Sequence, residues 1–154
     1  MSEYNKLIND INNRKFSPIY LIHGQENYFS DKIIKHLVSN VINEDSVDFD
    51  LKKIYGKKSD ENQESEVIDF IKRFPLSGDY NLVVVKDSKN LSNDYNNIIS
   101  YLENFNSKSI LVLAFDENID KRKKIYKSSQ KNGVVFESKK IYENQVYKLS
   151  LIHI

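Results

Sequence analysis

The segment HGQENYFSDK over residues 23–32, just after the first apolar run, is where an α/β protein would hold a nucleotide phosphate. That chemistry needs backbone amides freed by glycines, a helix N-terminus and a Gly-Lys-Ser/Thr step. Here Gly24 stands alone, no such step follows, and Glu26 sits where a phosphate wants positive charge. A working phosphate-binding loop is not expected. Magnesium would call for acids after a second apolar run, but LVVVKDSKN puts Lys86 ahead of Asp87, which reads as a turn or cap residue. Asp87 and Asp116 follow apolar runs as phosphoacceptor acids do, yet the acidic pair that this chemistry needs after the first run is missing. His23, His36 and His153 are too scattered for a catalytic triad. With no cysteine there is no thiol nucleophile, thiolate metal site or disulfide framework. No residue is therefore assigned to catalysis, to a cofactor or to a metal.

Lys121, Arg122, Lys123, Lys124 and Lys127 form the one strong basic run, with Ile125 and Tyr126 placed to anchor it. It reads first as a solvated face. The sharper reading makes Lys121, Arg122, Lys124 and Lys127 a subunit- or DNA-contacting patch.

The elements that must position these residues follow from periodicity. Tyr4, Leu7, Ile8 and Ile11 recur at helical spacing, then Ser17 and Pro18 lead into the apolar run 19–22, a buried strand. Phe29, Ile33, Ile34, Leu37, Val38 and Val41 mark one face of a second helix. Val47, Phe49 and Leu51 alternate with Asp48, Asp50 and Lys52, which predicts a half-exposed strand closed by Gly56. A polar loop over 57–62 precedes a short helix marked by Val67, Ile68 and Ile71, which ends at Phe74 because Pro75 disfavours helix there. Strands are expected at 82–85, 110–115 and 134–136, with a helix from Tyr95 to Phe105 between the first two and a basic helix or turn over 120–130 before the last. Apolar runs of this kind are buried on both faces. The alternation predicts an α/β fold: a mostly parallel five-stranded sheet with helices on both faces.

The 154 residues suffice for one domain with a real core. A charged fraction of 29% is high, yet ten tyrosines and eight phenylalanines supply large apolar area. Lys plus Arg (23) nearly balances Asp plus Glu (22), so any contact with nucleic acid must be local. No apolar run approaches the roughly 18 residues of a membrane helix, and a cytoplasmic protein is expected. The final residues, LSLIHI over 149–154, match what a common transposon-derived sequencing adaptor encodes and are read as an artefact. The expected division is an α/β domain over 1–140, the start of a truncated helical lid domain over 141–148, and this tail.

Three segments in order, YLIHGQENYFSDKII, FIKRFPLSGDYNLVVVKDSKNL and ILVLAFDENIDKRKKIYKSSQKNGVVFESKKI, resemble the N-terminal domain of the delta subunits of bacterial DNA polymerase III clamp loaders. The likeness covers about residues 16–148. It rests on Gly24, Glu26 and Tyr28 after the first strand, on Pro75 to Asp79 before the strand at 82–85, and on Asp120, Lys121, Arg122, Tyr126, Lys127, Gly133, Val134 and Val135. The resemblance implies an AAA+ type fold without a functional P-loop, and a chain that is itself non-catalytic although its family forms part of a DNA-directed polymerase holoenzyme. It also implies an exposed tip, Leu76 and Ser77 with Phe74, Pro75 and Tyr80, that plugs a hydrophobic pocket on the ring-shaped sliding clamp, the beta subunit. Where Ser77 stands, many members carry a second large apolar residue, so Leu76 either works with Phe74 or Tyr80 or makes a weaker contact. Other clamp-loader subunits would attach mainly through a C-terminal region beyond this chain, and DNA would be met indirectly, without any cofactor or membrane. The competing readings are an inactive AAA+ relative or another clamp-loader subunit acting as an interaction module, and a nucleotide-binding α/β enzyme with an atypical loop.

Overall fold

Strands and helices alternate along the chain in a computed structural model that describes residues 2–139. The elements are α1 Glu3–Asn12, β1 Ile19–His23, α2 Asn27–Val41, α3 Val47–Asp50, β2 Leu51–Tyr55, α4 Gln63–Lys72, β3 Asn81–Lys86, α5 Asn96–Leu102, β4 Ser109–Ala114, α6 Lys124–Asn132 and β5 Val134–Glu137. The strands form one sheet in the order β2-β3-β4-β1-β5, and every pair is parallel. The lid expected over 141–148 and the tail over 149–154 lie outside the described residues.

Side chains of a strand alternate between faces, so the unbroken apolar runs supply two cores at once. Tyr20 and Ile22 of β1, with Leu82 and Val84 of β3, pack under α1 and α2 against Leu7, Ile11, Ile33 and Leu37. Ile19 and Leu21, with Val83 and Val85, face the other way, against Val67, Ile71, Ile98, Leu102 and Ile125 of α4, α5 and α6. The anchoring role expected of Ile125 is thus met: it is buried while Lys121, Arg122, Lys124 and Lys127 are exposed.

The region before β2 corrects the expectation of a strand from Val47. Residues 47–50 form a helical turn, and β2 begins only at Leu51. Alternation would have turned Asp50 to solvent beside Asp48. The turn instead carries Asp50 into full burial and leaves Val47 and Phe49 exposed. Two smaller differences follow the same local rules. Tyr95 adopts a left-handed conformation (φ 58°) just ahead of α5, and the helix stops at Leu102, short of Phe105. Residues 120–123 make a turn closed by the Lys123 amide donating to the Asp120 carbonyl at 3.1 Å, so the basic helix starts at Lys124.

Candidate functional site

Helix α4 ends where Pro75 cannot supply an amide to continue it, and its last carbonyls are taken up by side chains from below. The Asn81 amide donates to the Arg73 carbonyl at 2.6 Å, and the Asn106 amide reaches the same oxygen at 3.0 Å and that of Ile71 at 3.3 Å. Chain leaving this fixed end passes over Asp50. Its carboxylate accepts from the amides of Leu76 at 2.7 Å, Ser77 at 3.1 Å and Gly78 at 2.7 Å. Burial pushes the Asp50 carboxyl up, and those three amides with the Arg73 guanidinium more than reverse it, holding it below its ordinary value. Arg73 also lies over the Phe70 ring, 4.0 Å from its centroid, and donates to the Phe49 carbonyl. Two apolar side chains project from this braced loop: Phe74 is 73% exposed and Leu76 65%.

Phe74, Pro75, Leu76 and Ser77 are therefore brought together as one tip. The Ser77 hydroxyl stands 3.5 Å from the Asp50 carboxylate, a small polar group placed beside an anion. Tyr80 does not join them. It is half-buried, its ring edge-on to Phe16 with centroids 5.3 Å apart, which commits it to packing. The sequence reading missed Asp50 and Arg73. The sequence signals the helical turn but not the burial of Asp50: Asn43, Glu44, Asp45 and Ser46 are residues that start helical turns, and they immediately precede Val47.

The turn between β1 and α2 shows why a phosphate is not expected there. Glu26 caps α2 with its own carboxylate, which accepts from the Tyr28 amide at 3.0 Å and so occupies the anion position at the helix N-terminus. Gly24 has φ 130°, and a Cβ there would fall 2.1 Å from the Ser138 carbonyl oxygen, so the chain after β5 closes over the turn. The adjoining cleft, about 210 Å³, is lined by Asp31, Asp87 and Asp116 against a single cation, Lys86, which pairs with Asp31 at 3.7 Å. Asp87 is a turn residue in the left-handed region (φ 51°). No group of three acidic, histidine or cysteine side chains among the described residues could hold a metal ion. ATP with Mg²⁺ is accordingly expected to leave the melting temperature unchanged. A ligand at 100 times its dissociation constant would add about 2.7 kcal/mol, roughly 5–10 °C for a domain of this size.

His23 is buried at the end of β1, where its Nδ1 accepts from the Ile119 amide at 3.2 Å and Tyr126 meets its ring edge-on. Burial pushes its pKa down, which favours the neutral ring. His36 lies on α2, and His153 is outside the described residues. In the basic run, Arg122 is engaged by Asp120 in a 2.9 Å ion pair, with the Asp120 carboxyl held down at about 2 by the Arg122 hydrogen bonds. Lys121, Lys124 and Lys127 are exposed along the turn and helix. Among the described residues no helix is long and apolar enough to cross a membrane.

Comparison with known proteins adds a family to this geometry. Residues 20–139 match the family model described as DNA polymerase III, delta subunit. The chain is 24% identical over 134 residues to the DNA polymerase III subunit delta of Bacillus subtilis (strain 168), covering 80% of this chain and 38% of that protein. Among solved structures it is similar to the Bacillus subtilis DNA clamp loader delta protein, with a TM-score of 0.81 and 19% identity over 97% of this chain and 46% of that one. A gamma subunit-related protein of DNA polymerase III from Thermotoga maritima is similar at a TM-score of 0.56 and 17% identity, covering 96% of this chain and 49% of that one. The chain thus spans less than half the length of each of these relatives.

Proposed function

The chain belongs to the DNA polymerase III delta subunit family, and on that premise we propose that it binds the sliding clamp through the Leu76 tip and promotes opening of the ring. The observation that carries the proposal is a large apolar side chain, 65% exposed, on a loop whose backbone is fixed by a buried carboxylate. Exposed leucines are ordinary on flexible surfaces. A leucine held out on a braced loop loses little conformational entropy when it enters a partner's pocket, and such preorganised apolar anchors supply much of an interface's free energy.

Binding alone does not open a ring. A ligand shifts an equilibrium only by its differential affinity for the two states, and moving a population from 1:99 to 99:1 takes about 10⁴-fold, or about 5.5 kcal/mol. In this reading the tip fits the opened or strained clamp interface better than the closed one, and no bond is made or broken by this chain. ATP hydrolysis belongs to other clamp-loader subunits, attached through a C-terminal region of the parent protein in an AAA+ type assembly. DNA is approached through that assembly in the cytoplasm, with Lys121, Arg122, Lys124 and Lys127 as the surface available to a neighbouring subunit or to phosphates. Leu76, Phe74 and Pro75 form the clamp contact, Ser77 narrows it, and Tyr80, packed on Phe16, lies outside it.

The test is equilibrium binding of the chain to the cognate clamp on a biosensor, without nucleotide. Saturable binding supports the proposal. A folded chain that shows none at any attainable concentration removes it.

A further inference from the structure

We infer that Phe49, with Val47 beside it, is a second contact for the same clamp, so that the binding surface joins two chain segments; this rests on the clamp reading above. Exposed large apolar side chains are few among the described residues, and four of them gather here: Val47 at 41%, Phe49 at 53%, Phe74 and Leu76. The two segments that carry them are separate in sequence and fastened in space. The Asp50 carboxylate binds the amides of Leu76, Ser77 and Gly78, while Arg73 donates back to the Phe49 carbonyl. A Cβ on Gly78 would come within 3.2 Å of the Asp50 carboxylate and 3.3 Å of the Ser46 hydroxyl, so the helical turn and the tip lie against one another.

Such close fastening holds Phe49 and Leu76 in a fixed relation, which a partner can read only if it meets both. Size favours the same occupant. A stable protein interface buries about 800 Å² on each side, drawn from some 20–30 residues, and one loop tip cannot supply that area. The adjoining surface must contribute, and α3 supplies the exposed apolar side chains that Asp50 fastens to the Leu76 segment. An exposed phenylalanine with a fixed backbone, next to an anchor leucine, is the kind of aromatic that interfaces place near their centre.

The test compares the affinity for the clamp of the unaltered chain with that of Phe49→Ala and of Tyr55→Ser. Tyr55, 57% exposed, lies at the far end of β2 from the tip and serves as the control. Phe49→Ala is expected to bind about tenfold more weakly with its melting temperature preserved, and Tyr55→Ser to bind as the parent does. Because a variant at 49 could also loosen the turn, a photoreactive p-benzoylphenylalanine placed at position 49 gives an independent readout, with the same group at 55 as control. Crosslinking to the clamp from 49 and not from 55 supports the inference. An affinity within twofold of the parent, or no crosslink from 49 while the chain is bound, overturns it and leaves Leu76 as the anchor alone. Failure of the unaltered chain to bind the clamp overturns this inference and the proposed function together.

Discussion

Leu76→Asp is expected to weaken binding of the chain to the sliding clamp by about 100-fold or more while leaving its melting temperature nearly unchanged. The two halves of that expectation come from one observation. Leu76 is mostly exposed, so the isolated chain gains little from its side chain, and its amide bond to Asp50 is made by backbone, which aspartate retains. In the complex the same position loses about 1.5–3 kcal/mol of apolar burial and must either desolvate a charge or keep the pocket open. Since each 1.4 kcal/mol is tenfold, the combined loss reaches two orders of magnitude. The new carboxylate also adds a second negative charge on the segment whose amides bind Asp50, so Leu76→Ser, which adds no charge, should show a smaller loss of the same sign. Biosensor titrations of the three proteins, with thermal melts beside them, make the comparison.

Asp50→Ala is expected to act on both quantities. It strips three amide donors of a charged acceptor in a region where Asp50 itself is fully buried. Hydrogen bonds to charged groups contribute about 1.5–3 kcal/mol, and water reaches part of this loop, so a loss near 2–3 kcal/mol is expected, roughly 4–12 °C in melting temperature. Clamp affinity should fall about tenfold even where the chain remains folded, because the tip is no longer held in one conformation. Asp50→Asn keeps the shape and one acceptor and should fall between. The pH dependence has a definite sign. The Asp50 carboxyl is held below its ordinary value in the fold, so its stabilisation is complete above the unfolded-state pKa of about 3.9 and is lost as pH falls through the lower folded value. The parent should lose stability below about pH 4, and Asp50→Asn should lack that component. Melts between neutral pH and pH 3 distinguish them; parallel curves for the two proteins would remove Asp50 from the account.

The parts of this architecture that could be read from sequence are those where a residue's neighbours in the chain decide its fate. β1, β3 and β4 were legible because strands buried on both faces must be apolar throughout, and Ile19 to Ile22, Leu82 to Val85 and Ile110 to Leu113 are. The acid at the head of α2 was legible as well, since Glu26 two residues after a lone Gly24 is a local fact. Asp50 was not. Its burial is fixed by amides 26 to 28 positions downstream, and an acid within an alternating pattern points to solvent unless that distant partner is known. The packing of Tyr80 was hidden for a related reason: nothing near it in sequence reveals that Phe16 receives its ring. Phe49 passed as an ordinary strand residue because periodicity assigns a face and not a neighbour. The tip at Leu76 was found through family likeness, and the fold supplies what likeness lacks, which is the carboxylate beneath it.

The most direct test of the account asks whether the chain opens the ring as well as touching it. Fluorescent clamp loaded on nicked circular DNA is mixed with the chain in the absence of ATP, and the clamp remaining on DNA is followed over time. The account predicts accelerated release by the parent chain, saturating with its binding curve, and none by Leu76→Asp. Clamp that stays on the circle when the chain is bound at saturation would contradict it, leaving a clamp-binding domain without a preference for the open state.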